Sequence, residues 1–184
     1  MSESTDINSI IDQARNGDQK AFNFLLNTYW KDVYRFQLKK CKNEDETEDI
    51  TIKTFARAFD KIDSYNKDYQ FKTWLFSIST NIHIDHLRKK KAETVSFNKN
   101  HQELHKIIDE DPSPADQLIQ EQNLAQLKAF IKQLKPHYQE VINLRFFQEL
   151  SYKEIAAKLD EPMNNIKVKL LRAKKLLAEI ILNK

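Results

Sequence analysis

SYKEIAAKLDEPMNNIKVKLLRAKKLL, residues 151–177, decides the fold. Ser151 followed by Glu154 is the capping-box pattern, in which the Ser hydroxyl accepts from the third residue's N–H while the Glu carboxylate reaches back to the cap. A short helix is therefore predicted to begin at Ser151, with Ile155, Ala156 and Leu159 as its narrow apolar face. Asp160-Glu161-Pro162-Met163 breaks it. A second helix follows, with Ile166, Leu170, Ala173 and Leu177 at i, i+4, i+7 and i+11. Two helices of this kind joined by a tight turn are the helix-turn-helix layout. With that apolar stripe turned inward, Asn164, Asn165, Lys167, Lys169 and Arg172 are expected to project away from the core. These residue types hydrogen-bond base edges and phosphates in a major groove. Taken alone, a basic run is better read as a solvated surface. The capping box, the short first helix and the proline turn together favour DNA.

Upstream, the chain keeps helical periodicity. Ile10, Phe24, Leu25, Tyr29, Val33 and Phe36 indicate two successive amphipathic helices around Asn16-Gly17-Asp18, with Asp18 placed to cap the second. A third helix is expected from about Thr47 to Ile62, on the stripe Ile50, Thr54, Phe55, Ala58 and Phe59. Residues 63–68 read as a loop. Thr73, Trp74, Leu75, Ile78, Ile82 and Leu87 belong to the next helix, which ends in Arg88-Lys89-Lys90-Lys91. From Ala92 to Ala115 the period fades and Asp109-Glu110-Asp111-Pro112-Ser113-Pro114 mixes acids with prolines, which reads as a flexible linker. Helical patterning resumes near Asp116 and runs through Leu118, Leu124, Leu127 and Phe130 to Lys135-Pro136, with a further helix on Val141, Ile142, Leu144 and Phe146.

The expected fold is all-α: two small helical domains, 8–91 and 116–184, joined by a flexible linker at 92–115, the C-terminal one a helix-turn-helix. A single Gly and four Pro in 184 residues argue against a turn-rich β architecture. The lone Cys41 reads as an ordinary thiol, and without an apolar run long enough to span a bilayer or a basic leader the expected location is cytoplasmic.

Net charge is only +3, but its distribution is uneven. Residues 44–49 are acidic, whereas 88–91 is wholly basic and 164–177 carries Lys167, Lys169, Arg172, Lys174 and Lys175 without an acid. The helix that ends in the basic run holds Asn81, Asp85 and Arg88 at i, i+4 and i+7. Such an end, with Lys89 and Lys90, can neutralise phosphates, and the aromatic residues Tyr65, Tyr69, Phe71 and Trp74 offer faces for unstacked bases. Phe71 and Trp74 are better read as core anchors, which leaves Tyr65, Asn66 and Lys67 as the expected contacts to a melted strand.

Together these features resemble the extracytoplasmic-function sigma factors of the sigma-70 family, from about Ala14 to Leu177. Asn16-Gly17-Asp18-Gln19-Lys20-Ala21-Phe22 with Val33-Tyr34-Arg35-Phe36 is similar to the start of region 2; Phe71 to Phe76 and Asn81 to Lys90 are similar to its melting and −10-reading segment; Tyr138 to Leu177 is similar to region 4, the −35 reader. The resemblance implies core RNA polymerase and promoter DNA, both duplex and melted non-template strand, as partners, and an anti-sigma factor as a further one. It implies that Glu48, Asp49, Thr51, Ile52 and Lys53 bind the polymerase clamp, that the 65–69 loop captures a flipped base, and that the linker runs through the polymerase channels. Two segments depart from the family pattern: Ile52-Lys53 replaces a Gln and an acid, and Asn164-Asn165 with Val168-Lys169 replaces a small-residue start and Ser-Arg. Lys lacks the fork with which Arg reads guanine.

No phosphate loop, Cys cluster or activated nucleophile points to an enzyme. His83 with His86, and His101 with His105, have metal-like spacing but no further ligands nearby, so neither metal nor cofactor is expected. A response-regulator-like activator would explain residues 138–177 only, leaving the basic helix, the acidic helix and the acidic linker without a role, and a protein-binding helical adaptor would show no salt-dependent DNA affinity even in the presence of polymerase.

Overall fold

Local signals start and stop each helix. The Asp6 carboxylate accepts from the Asn8 N–H to open α1 (Ile7–Arg15), and Asp18 accepts from the Lys20 N–H to open α2 (Gln19–Cys41). Between them Gly17 takes φ 80°, a left-handed conformation that costs glycine nothing. Asn43 caps α3 (Glu44–Asp60) by accepting from the Glu46 N–H. Glu44, Asp45 and Glu46 then lie in the first turn of α3, where the helix dipole favours negative charge, so α3 starts three residues before Thr47. A 3₁₀ turn at Ile62–Ser64 leads through a short loop to α4 (Phe71–Ser96). The computed structural model describes residues 6–96, 114–120, 122 and 124–183.

The chain divides into two compact units, Met1–Lys106 and Ile107–Lys184. In the first, α2 packs on α1, α3 and α4, and α3 packs on α4. Ile11, Leu25, Ile50, Phe55 and Leu75 have no exposed surface. Phe22 meets Phe59 at 4.6 Å between ring centroids, Trp30 stacks on Phe55 at 5.9 Å and Phe36 on Phe76 at 4.3 Å. Polar groups inside this core find partners within their own helix or on the helix packed against it. Thr47, Thr51 and Thr54 return their hydroxyls to the carbonyls of Asn43, Thr47 and Ile50, and Gln37 of α2 donates to the Ser79 hydroxyl of α4.

In the second unit α9 (Met163–Leu182) is the element on which α5 (Pro114–Gln120), α6 (Leu124–Ile131), α7 (Pro136–Ile142) and α8 (Tyr152–Leu159) all pack. Its stripe Ile166, Leu170, Ala173 and Leu177 is buried against Phe130, Val141, Ile142 and Ile155, the stripe predicted from the sequence. A π turn at Asn143–Phe147 extends α7 toward α8.

Three further boundaries differ from expectation. The helical backbone of α4 continues past the basic run to Ser96, because Ala92 and Glu93 sustain a helix. At the other end of the expected linker, Pro114 already begins α5; proline is tolerated in a first turn, where its missing N–H would have no partner. The expected linker otherwise lies outside the described residues, as do the acidic run 109–111 and both His101 and His105. The single helix expected from Asp116 to Leu134 is two, α5 and α6, interrupted at a bend at Gln122.

Candidate nucleic-acid interface

In the second unit the capping box is complete: the Ser151 hydroxyl accepts from the Glu154 N–H, and the Glu154 carboxylate accepts from the Ser151 N–H at 2.8 Å and from its hydroxyl at 2.6 Å. These donors hold the Glu154 carboxyl below the usual carboxylate range. Ser151→Ala is expected to destabilise this unit by about 0.5–2 kcal/mol, read as a lower melting temperature by circular dichroism.

After α8, Asp160 takes a left-handed conformation, φ 52°, and Pro162 leads into α9. The sequence placed five α9 side chains outward, and the structure divides them. Asn164, Lys167 and Arg172 are half-buried, with the Arg172 guanidinium over the Tyr138 ring at 5.6 Å from its centroid. Asn165 and Lys169 are buried, at 2% and 4% exposure, which corrects the expectation that they project toward solvent. The reason is Glu161: the Lys169 ammonium lies 2.6 and 2.8 Å from its two carboxylate oxygens, so the pair folds back over the turn. The Asn165 amide has no hydrogen-bond partner among the described residues. At the start of α9 Met163 is exposed and Asn164 and Lys167 are half-buried; further along Leu171 and Lys174 are half-buried and Lys175 is exposed.

His137, in the first turn of α7, was not singled out by sequence. Burial pushes its imidazole down to about 4, assisted by the positive charges of Lys169, Lys135 and Arg172 and opposed by Glu161. A histidine whose folded value is depressed binds its proton more readily when unfolded. Its contribution to stability is therefore complete above about pH 6.5 and is lost as pH falls toward 4. The melting temperature of the second unit is expected to drop across that window, and His137→Gln to flatten the drop.

In the first unit the loop before α4 is built on Tyr65, which is 5% exposed. Its hydroxyl donates to the Tyr69 carbonyl, its ring meets Phe71 edge-on at 5.2 Å and Trp74 at 5.3 Å, and Arg15 donates to its carbonyl. Tyr65 is thus a core anchor like Phe71, a correction to the sequence reading, which assigned it to strand contact. Asn66 accepts from the Asp68 N–H at 2.9 Å in a tight turn, and Lys67 pairs with Asp12 at 2.7 Å. Tyr69, 66% exposed, is the aromatic this loop presents outward, an aromatic in a polar stretch being the available sequence signal.

Asn81, Asp85, Arg88, Lys89 and Lys90 are all exposed on α4. Asp85 lies 3.9 Å from both Arg57 and Arg88, and the Arg88 side chain keeps 78% of its surface in solvent. Lys90 bonds Glu46 of α3 at 2.5 Å, and His86 approaches the same carboxylate at 3.6 Å; the Lys90 hydrogen bond holds the Glu46 carboxyl below its ordinary range. Of the residues expected to meet polymerase, Thr51 is fully buried and Asp49 is 8% exposed, because both lie on the inward side of α3. Lys53 is exposed and bonds Asp49 at 2.5 Å, while Glu48 and Ile52 are half-buried. Among the described residues no three His, Cys, Asp or Glu side chains are grouped to hold a metal, and His83 instead lies with its Nδ1 3.3 Å from the Cys41 thiol. No described helix is long and apolar enough to cross a membrane.

Two helical units, one carrying a helix-turn-helix whose second helix bears Asn164, Lys167, Arg172, Lys174 and Lys175, fit a DNA-binding protein. The sigma-70 region 2 family model matches residues 25–93 and the sigma-70 region 4 model residues 124–177. The chain is 31% identical over 172 residues to the extracytoplasmic-function RNA polymerase sigma factor SigW of Bacillus subtilis, covering 91% of this chain and 92% of that one. It is 33% identical over 147 residues to SigM of the same organism, covering 79% and 86%, and 27% identical to the sigma-E factor of Escherichia coli K12, covering 95% and 93%. The chain belongs to the extracytoplasmic-function RNA polymerase sigma factors. It is a transcription initiation factor that directs RNA polymerase to promoters, as the sequence reading expected.

Proposed function

We propose that the two units divide the promoter between them, with residues 8–91 holding core polymerase and the −10 element and residues 116–184 reading the −35 element. The observation that carries this reading is the helix-turn-helix itself, in which a capped α8 and the turn at Asp160 present the first turns of α9, with Asn164 and Lys167, at the surface. Arg172 and Lys174 further along suit phosphates. In the first unit Asn66, Lys67, Asn81, Arg88, Lys89 and Lys90 meet the melted non-template strand, with Tyr69 supplying the stacking surface and Asp85 orienting Arg88. Glu48, Ile52 and Lys53 supply the contact to polymerase, with Asp49 holding Lys53. Catalysis stays with the polymerase, in the cytoplasm. The expected anti-sigma factor is carried by family membership alone.

The test is reconstitution. Purified chain mixed with core RNA polymerase on a library of promoter fragments is expected to give specific start sites, by footprinting and run-off transcription, only when both are present. The enriched fragments would define the −35 and −10 sequences. Duplex binding by the chain alone, without initiation by a cognate core enzyme, would instead establish an activator.

A further inference from the structure

Lys169 stands in the stretch whose charges most strongly suggest DNA contact, yet its side chain retains only 3% of its exposure. Two of its three N–H donors are taken by the Glu161 carboxylate, at 2.6 and 2.8 Å, and Glu161 is itself 21% exposed. Glu161 belongs to the turn between α8 and α9, whereas Lys169 lies nearly two helical turns into α9. The pair therefore ties the turn to the body of the helix. Around it stand the depressed imidazole of His137 from α7, the buried Asn165 amide one turn earlier on α9, and Arg172 against Tyr138. Drawing Lys169 out to a phosphate would leave the Glu161 carboxylate beside these groups without its counter-charge, and a half-buried acid would then repel the DNA backbone.

We propose that Lys169 is a positioning residue rather than a DNA ligand: its buried ion pair with Glu161 fixes how α9 leaves the turn, and so the register of Asn164 and Lys167 on the −35 duplex. This rests on the reading of α9 as the −35 reader. It is compatible with Lys in place of the family's Arg, since an ammonium reaching both carboxylate oxygens makes this contact without the fork that reading guanine would need. Sequence preference at −35 then depends on side chains that stay open on α9, and Lys169→Arg is expected to leave it unchanged.

The experiment is promoter binding by holoenzyme reconstituted from the full chain and core polymerase, on a promoter fragment enriched by the reconstitution, over a range of salt. Lys169→Glu is expected to lose roughly tenfold or more in affinity, and the exchange Glu161→Lys with Lys169→Glu to recover most of it, because the pair is restored with its signs reversed. A phosphate ligand behaves oppositely: the exchange would be as weak as Lys169→Glu alone, and Lys169→Met would flatten the salt dependence by about 0.9 in log–log slope. Either result overturns the proposal. Should the exchanged chain fail to fold by circular dichroism, Glu161→Gln decides. Positioning predicts a loss matching that of Lys169→Met, with no further loss when the two are combined. Affinity unchanged or raised in Glu161→Gln would overturn it. Lys167→Ala tests the underlying reading separately: a loss of affinity with a shallower salt slope keeps α9 on the duplex, and no change in either removes it.

Discussion

Phe55→Ala is expected to destabilise the first unit by about 3–5 kcal/mol, enough to unfold a marginal domain. Phe55 has no exposed surface, stacks on Trp30 of α2 at 5.9 Å and packs on Phe59 at the same centroid distance. Truncation removes the ring that joins α3 to α2 and leaves a cavity that these two helices, already fixed by their own caps, cannot readily close. Chemical denaturation followed by helical signal should show an early transition for unit 1, with the His137-dependent transition of unit 2 unmoved. One unchanged cooperative transition would count against Phe55 as the packing centre. Run-off transcription should fail with it, since loss of this unit removes the surface assigned to polymerase.

The second large effect is electrostatic. Replacing Arg88 and Lys89 together by Ala should leave the melting temperature nearly unchanged, because both are exposed on α4 and Arg88 reaches Asp85 only at 3.9 Å. Promoter opening by the holoenzyme should nevertheless fall roughly tenfold or more, and the log–log salt slope should become shallower by about 0.7–0.9 for each phosphate no longer neutralised. Potassium permanganate reactivity of the −10 region and salt titration of open-complex formation measure the two effects. Unchanged slope with reduced opening would place these residues outside the phosphate path. Lys90 is not included because it also bonds Glu46, so its removal would disturb α3 as well as DNA contact.

The different fates of neighbouring residues show how far sequence patterns reach. The stripe Ile166, Leu170, Ala173 and Leu177 was legible because helical spacing fixes which positions share a face. The capping box was legible because its partners are three residues apart and bond each other. Asp18 as the cap of α2 was equally local. Lys169 was misjudged because its partner, Glu161, lies across a turn, where no i,i+4 rule applies. Tyr65 was misjudged because an aromatic in a polar loop looks exposed until Phe71, Trp74 and the Tyr69 carbonyl close around it. Thr51 and Asp49 fell within a family motif, and a motif does not say which of its members face inward.

The sequence by itself determined an all-helical chain, the helix-turn-helix, the charge of its two basic segments and the family. Those features depend on periods and contacts within a few residues, and such interactions are set by the backbone of a single helix. Tertiary structure alone decided which charged side chains remain open to a partner. That outcome depends on contacts between separate elements: Glu161 taking Lys169, Glu46 holding Lys90, and His137 kept neutral beside three cations. The free energy of a charge depends on which groups surround it, and only packing brings those groups together.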